Sequence, residues 1–398
     1  RVFCGHLLLL RVLAMKNRRQ FLKASLATTI AAIFCRAATA AESLSDRINE
    51  SIASAVRYLM DRQSSDGAWR SEIYGPFKDG PSLTSLIAAT FVSLESKFDI
   101  ESASFMAAKY LAAQIDNSLD NLTYPAYTAA GAVIALNQRP EFASQQKAWL
   151  NYLRTLQLTE DLGWQPANLA YGGWGYAATG LQPLNGAPAT PLAVPNLSAT
   201  VFALKALRAA GVCPCDPAIQ RAQVFITRCQ NWSDESDSRN EIFDDGGFHF
   251  LLEDPQRNKA GELGLDRFGR RRFASYGSAT ADGFRALAYC GLGKKHPRRL
   301  AAERWLVRNF SAEEHPGDFQ PDREHLRPTL YYYYAASLAQ SLQLSDHLRS
   351  RAAELASALL SRQRSDGSWA NSAVDVREDD PLVATPLAIQ ALDGCLNS

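Results

Sequence analysis

Apolar and polar positions divide most of the chain into two kinds of segment that alternate. Six stretches run for about three turns or more with few charges or none: Gly80–Leu94, Tyr124–Leu136, Pro195–Ala210, Tyr276–Leu292, Pro328–Leu342 and Pro381–Leu392. Each opens near a Pro, Tyr or Gly, carries Ser or Thr early, and continues in small apolar residues. A helix apolar on nearly all sides is buried rather than laid on a surface. Before each comes a segment with its charges on one face: Ser45–Gln63, Ala103–Asp116, Gln145–Gln157, Pro217–Gln230, Arg298–Phe310 and Asp346–Gln363. Neither kind buries its apolar side alone, so the pairs must stack. The pattern predicts an all-α fold, an α6/α6 toroid over residues 41–398 with the apolar helices inside. Closure is favoured over an open solenoid because the inner helices are apolar on too many sides.

The most distinctive inner segment is Leu326–Leu342, with Pro328 and Thr329 as its expected start and no charge from Thr329 to Leu342. It contains four consecutive tyrosines, Tyr331 to Tyr334, which point around the whole helix. Buried hydroxyls need partners, so one side is expected to face a polar cavity. Helical spacing puts Tyr331 and Tyr334 on one face. That face is expected to line the cavity, with Tyr332 and Tyr333 packing sideways.

Two connections are long, Leu158–Val194 and Asn231–Ser275, and both run from an outer to an inner helix. In a toroid all such connections emerge at one mouth. These two bring Trp164, Tyr171, Trp174, Tyr176, Asp244, Asp245, Phe248 and His249 to its rim, as a binding site or as a lid. The charge-rich stretch Arg239–Arg272 reads as a solvated surface.

Charge and composition narrow the chemistry. The 398 residues carry a formal net charge of +1 and are 46% hydrophobic. That balance suits one large globular domain and gives no footing for nucleic-acid binding. Six inner-helix N-termini aimed at one mouth favour anions, while the Ser and Thr residues there suit N-caps. Asp282 stands one turn inside a nearly uncharged helix, where a carboxylate is costly unless it is paired or functional. It is the candidate acid, with a pair to Arg285 or a neighbouring Arg as the alternative. Cys213-Pro214-Cys215 does not complete a metal site, and its cysteines read as ordinary thiols. The first residues carry an address. Residues 1–14 read as an upstream extension before Met15. Asn17-Arg18-Arg19-Gln20-Phe21-Leu22-Lys23, an apolar run from Ala24 to Phe34 and Ala38-Thr39-Ala40 fit a twin-arginine signal peptide over residues 15–40. The expected location is periplasmic or secreted.

Gln63-Ser64-Ser65-Asp66-Gly67-Ala68-Trp69 and Gln363-Arg364-Ser365-Asp366-Gly367-Ser368-Trp369 share the pattern Q-x-x-D-G-x-W. Weaker copies pair Gln157 with Gly163-Trp164 and Gln230 with Asp245-Gly246-Gly247-Phe248. These segments resemble the QW repeats of the squalene cyclase and protein prenyltransferase superfamily, over nearly the whole chain after the leader. Tyr171-Gly172-Gly173-Trp174-Gly175-Tyr176, Tyr276-Gly277-Ser278-Ala279-Thr280 and the tyrosine run are similar to a bacterial group of prenyltransferase and squalene-oxidase repeat proteins. The resemblance implies an α6/α6 toroid and structural QW repeats. The cyclases' D-x-D-D acid is missing; Asp244-Asp245 and Asp379-Asp380 are the nearest strings. The prenyltransferases' zinc set is missing too. Asp282 and Cys290 stand about 12 Å apart along one helix, too far to share an ion with His325. Ala335 and Ala336 follow the tyrosines where the group commonly has His. No metal and no cofactor are expected. The expected function is binding of an isoprenoid, another lipid-like molecule or a glycan in a mouth lined by Trp174, Tyr176, Tyr276, Tyr331 and Tyr334. Peripheral membrane contact would accompany it. The alternative is a terpenoid cyclase, prenyltransferase or polysaccharide-cleaving enzyme with Asp282 as acid.

Overall fold

The computed structural model describes residues 43–116, 119–234 and 243–398. Ile48–Ser398 form one compact unit, and the other unit, residues 1–47, contributes only the opening of the first helix to the described residues. The expected leader, including Arg18 and Arg19, lies outside them.

Helices alternate along the chain as the apolar pattern predicts. The outer ones are α1 (Leu44–Met60), α3 (Glu101–Gln114), α5 (Ala143–Thr155), α7 (Pro217–Arg228), α9 (Pro297–Arg308) and a final helix broken into α11 (Asp346–Arg349) and α12 (Ala352–Leu360). The inner ones are α2 (Pro81–Phe91), α4 (Pro125–Leu136), α6 (Leu197–Ala209), α8 (Gly277–Tyr289), α10 (Tyr331–Leu342) and α13 (Pro381–Leu396). Each inner helix packs on the next, and α13 packs on α2, so the ring is closed. The inner helices are buried almost all round; every residue of α8 from Gly277 to Leu287 is buried. The fold is an α6/α6 toroid.

The ring is held by one side-chain clasp repeated four times. Gln63 Nε2, just after α1, donates to the carbonyls of Gly67 and of Ala103 on the next outer helix, both at 2.9 Å. Gln157 does the same to Gly172 and Ala218 at 2.8 Å. Gln230 reaches Gly246 at 3.0 Å and Arg298 at 2.9 Å. Gln363 reaches Gly367 and Ser51 at 2.9 Å, and so joins the last outer helix to the first. Each glycine has positive φ, between 86° and 92°. A side chain there would also run into the neighbouring outer helix: a Cβ on Gly246 would lie 2.8 Å from the Ala301 carbonyl oxygen.

Two residues beyond each glycine stands an aromatic residue, Trp69, Trp174, Phe248 or Trp369, fully buried. Its backbone N–H donates to a threonine hydroxyl on the following inner helix, Thr84, Thr200, Thr280 or Thr385, at 3.0–3.1 Å. The three indoles donate to Leu59, Leu153 and Leu359 on the preceding outer helices, at 2.7–2.9 Å. Two sequence expectations are corrected here. Trp174, not Trp164, is the partner of Gln157, because an insertion separates the two; Trp164 donates instead to Leu181 inside the first long connection. These four threonines do not cap their helices but tie the loop aromatics to them, while Asn196 caps α6 and Asp380 caps α13.

Other departures are local. Pro328 lies in a 3₁₀ turn, Glu324–Leu330, and α10 starts at Tyr331. Proline disfavours helical geometry in the residue before it, and Thr329 Oγ1 donates back to Leu326 O at 2.7 Å. Both long connections contain a small hairpin: β1 (Pro183–Leu184) with β2 (Ala187–Pro188), and β3 (Glu262–Leu265) with β4 (Arg271–Phe273). Arg272, read as solvated, is buried on β4 and meets Asn231 and Asp266, both at 3.3 Å. Cys213 and Cys215, read as ordinary thiols, are joined as a disulfide. Cys229, Cys290 and Cys395 are free and buried.

Candidate functional site on the ring axis

The loops that lead into the inner helices meet over an aromatic mouth. Tyr127, in the first turn of α4, stacks on Tyr176 at 5.7 Å between ring centroids. Tyr124 stands edge-on to Tyr176 at 6.0 Å. Tyr127 continues inward to Phe202 at 4.9 Å, and Phe202 is parallel to Tyr333 at 6.5 Å. Two arginines lie among the outer rings. Arg257 stands 5.5 Å from the Tyr176 centroid and 5.8 Å from that of Phe250. Arg377 sits against Tyr74, Phe77 and Tyr124 at 5.2–5.5 Å. It also donates to the Tyr124 hydroxyl.

Below the mouth a polar column descends the axis, built from one side of each inner helix. The Tyr127 hydroxyl donates to Ser198 Oγ at 2.8 Å, and Ser198 bonds the Tyr333 hydroxyl at 2.5 Å. Tyr333 donates to Asp282 Oδ2 at 2.6 Å. The other Asp282 oxygen accepts from Arg285 at 2.5 Å and from Ser337 at 2.7 Å. Arg285 reaches Gln340 Oε1 at 2.8 Å, and Lys205 Nζ reaches the same oxygen at 3.0 Å. Gln340 meets Gln390 at 3.4 Å, and Gln390 donates to Thr90 at 2.7 Å near the far end of α2. Asp282 and Arg285 are 2% and 3% exposed. Burial pushes the Tyr127 and Tyr333 phenols well above their usual range, so both stay protonated donors. Burial pulls Lys205 down to about 8, and the Arg285 cation adds to the shift. A cavity of about 10 Å³ between Lys205, Arg285 and Gln340 has room for one water-sized species.

Of the residues the sequence singled out, Tyr176 lies on the aromatic wall and Asp282 in the polar column. Tyr276, its phenol raised chiefly by burial, packs against His315 and Phe319 at 5.6 and 6.2 Å between ring centroids. Trp174, Tyr331 and Tyr334 do not join them. The Trp174 indole faces the outer helix α5. Tyr331 and Tyr334 do share a face, but it looks outward: their hydroxyls donate to the carbonyls of Ala312 and Ser311 at 2.7 and 2.9 Å. The tyrosine that faces the axis is Tyr333, expected to pack sideways. Lys205 escaped notice although a lysine midway along a mostly apolar inner helix was the available signal. Glu378 escaped because nothing local distinguishes it from Asp379 and Asp380.

Several inner N-termini are already occupied. Buried Glu378 accepts from the backbone N–H groups of Tyr332 and Tyr333 at 3.0 and 2.7 Å, and burial raises it to about 7. His315 Nε2 accepts from the Ser278 N–H at 2.9 Å, and burial, assisted by the Arg327 cation, lowers it to about 3. The expected positive field at the mouth is thus spent within the protein on α6, α8, α10 and α13.

Large exposed hydrophobics gather in the connections that lead to the mouth. Ile73, Leu169, Leu184, Leu192, Leu265, Phe268 and Val374 are 44–63% exposed, and all seven belong to outer-to-inner loops. No helix among the described residues is long and apolar enough to cross a membrane.

No protein-family model matches the chain, and no curated protein matches it in sequence. Solved structures do. The type II terpene cyclase MstE from Scytonema, bound to geranylgeranyl dihydroxybenzoate, matches with TM-score 0.55 at 13% identity, covering 89% of this chain and 97% of that one. A protein from Actinoplanes matches with TM-score 0.54 at 16% identity, covering 88% and 99%. An α-1,6-mannanase from Salegentibacter matches with TM-score 0.51 at 10% identity, covering 88% and 99%. These likenesses establish the fold alone: the chain is an α/α toroid, similar in fold to a type II terpene cyclase and an α-1,6-mannanase.

Proposed function

We propose that this protein binds a small isoprenoid, other lipid-like molecule or glycan at its aromatic mouth. The observation that carries this reading is the unbroken wall Tyr124–Tyr176–Tyr127–Phe202–Tyr333, with successive centroids 4.9–6.5 Å apart. Ring faces suit isoprenoid methyls and the C–H faces of sugars, and Arg257 and Arg377 suit an anionic head group. The fold relatives bind ligands of both classes: geranylgeranyl dihydroxybenzoate in the cyclase and α-1,6-mannotriose in the mannanase. The apolar rim residues support peripheral contact with a lipid surface.

In this reading Asp282 organises the wall rather than supplying a proton. Its oxygens already accept from Arg285, Tyr333 and Ser337. An enzyme using Asp282 as acid would first have to release all three. The reading is tested by titrating the protein with geranylgeraniol and with α-1,6-mannotriose while following tyrosine and tryptophan fluorescence. One class should bind, and Tyr176→Ala should weaken it about tenfold, the worth of one aromatic contact. Failure of both ligands, or equal affinity in the variant, would sink it. Export through Arg18 and Arg19 belongs to the same proposal: replacing both with Lys should leave precursor in the cytoplasm, and normal export would remove it.

A further inference from the structure

We propose that the axial cavity between Lys205 and Arg285 is a binding site for a single halide-sized anion, chloride in the first instance. Two cations meet there, buried Arg285 and half-buried Lys205, with a single carboxylate beside Arg285. Asp282 is committed to Arg285, and Lys205 has Gln340 Oε1 as its hydrogen-bond partner, leaving ammonium hydrogens over. Arg285, itself 3% exposed, has a buried Nε without a partner. Both cations line the same small cavity. A buried charge is tolerated when it is paired, and a buried donor when it is bonded.

One anion meets both demands. It supplies the missing negative charge and accepts from the Lys205 ammonium and the Arg285 Nε–H. Cavity size sets the class. About 10 Å³ is room for roughly one water-sized species, which suits a monatomic anion better than a sulfate or diphosphate. Burial and the Arg285 cation hold Lys205 down at about 8; an anion beside it would counter that shift, and proton uptake would accompany binding. Phe202 and Tyr333, the inner end of the aromatic wall, also line this cavity, whereas Tyr176 does not.

The test uses the whole protein. Crystals soaked in bromide should show an anomalous peak between Lys205 and Arg285. Thermal melting at matched ionic strength should be higher in chloride or bromide than in gluconate, because a ligand that binds only the folded state raises Tm. Lys205→Met should abolish that difference, and Tyr176→Ala should leave it intact. In wild type the difference should fade as pH rises past 8 and Lys205 loses its proton. No bromide peak, or equal melting in halide and gluconate, overturns the proposal. A halide effect that survives in Lys205→Met overturns it as well. Should Lys205→Met not fold, the bromide peak and the wild-type pH dependence decide alone.

Discussion

Gln363 Nε2 donates to the Ser51 carbonyl at 2.9 Å, and the Ser51 hydroxyl donates back to Gln363 Oε1 at 2.7 Å, across 312 residues of chain. This exchange is the only one of the four clasps that joins the end of the ring to its beginning. Replacing Gln363 with Leu removes its bonds to Ser51 and Gly367 and leaves both carbonyls without their partner. The expected cost is about 2–3 kcal/mol in a denaturant titration, at roughly 1 kcal/mol or more per orphaned group. Gln63→Leu loses the equivalent pair and should cost a similar amount. A loss under about 0.5 kcal/mol in both variants, as for an ordinary surface change, would show that the clasps are incidental.

Gly367 is the stricter half of the same clasp. Its φ is 88°, and a Cβ would lie 2.5 Å from Ser54 Oγ. Gly367→Ala should therefore destabilise by more than about 2 kcal/mol, from left-handed strain and the steric shift together. Gly186, with φ 82° and open space around it, is the control. Gly186→Ala carries the conformational penalty alone and should cost about 1 kcal/mol, so near-equal values would refute the packing argument.

The ring was legible because burial writes itself into composition. Helices surrounded on all sides exclude charge, and those half-exposed confine it to one face, so all six pairs could be read directly. The clasp was legible only where its loop is short. Trp69 and Trp369 follow their glutamines by six residues, whereas the insertion before Trp174 broke the spacing and pointed to Trp164. The site was less legible. Helical geometry fixes that Tyr331 and Tyr334 share a face, but which face turns inward depends on neighbours far away in sequence. Here Asp282 and Ser198 draw Tyr333 to the axis, and the loop carbonyls of Ser311 and Ala312 take the other two. Glu378 was invisible for the same reason: its role comes from the N-terminus of α10, more than forty residues earlier in the chain.

Asp282→Asn should cost on the order of 3 kcal/mol, the usual loss when one member of a buried ion pair is removed. The effect is expected to exceed that of an isolated pair, since the change leaves Arg285 without its carboxylate while it still shares Gln340 Oε1 with Lys205. Adding Arg285→Met should recover part of the loss, because one uncompensated cation is then gone. Chemical unfolding of both variants checks this. An Asp282→Asn protein as stable as wild type, but with weakened ligand binding, would return Asp282 to the role of a functional acid.

Stability should respond to pH through two buried groups of opposite sign. Glu378 rises from 4.5 to about 7 in the folded state, so its contribution is full below pH 4.5 and is lost as pH climbs through 7. His315 falls from 6.5 to about 3, so its contribution is full above pH 6.5 and is lost as pH drops towards 3. Between pH 4.5 and 6.5 the two slopes oppose each other, and wild type should look flat. Single variants separate them. Glu378→Gln removes the loss at higher pH, so its stability relative to wild type should improve by on the order of 3 kcal/mol from pH 4.5 to above pH 7. An unchanged difference across that range would show that Glu378 is not held uncharged.

Tyr333 and Tyr331 give the sharpest test of which way α10 faces. Both hydroxyls are hydrogen-bonded, so Phe takes one partner from the Ala312 carbonyl at position 331 and from both Ser198 and Asp282 at position 333. Tyr331→Phe strips a bond to the Ala312 carbonyl on the outer side of the helix. It should cost about 1 kcal/mol and leave the mouth untouched. Tyr333→Phe breaks the link between Ser198 and Asp282, the joint at which the aromatic wall meets the charged column. It should cost about 2 kcal/mol, because the lost bond is to a buried carboxylate. It should also change ligand affinity severalfold, since the Phe202-facing ring loses its anchor. Melting curves and the fluorescence titration on the two variants separate the outcomes. If Tyr331→Phe alters binding and Tyr333→Phe does not, the outward face has been misassigned and the mouth lies elsewhere on the ring.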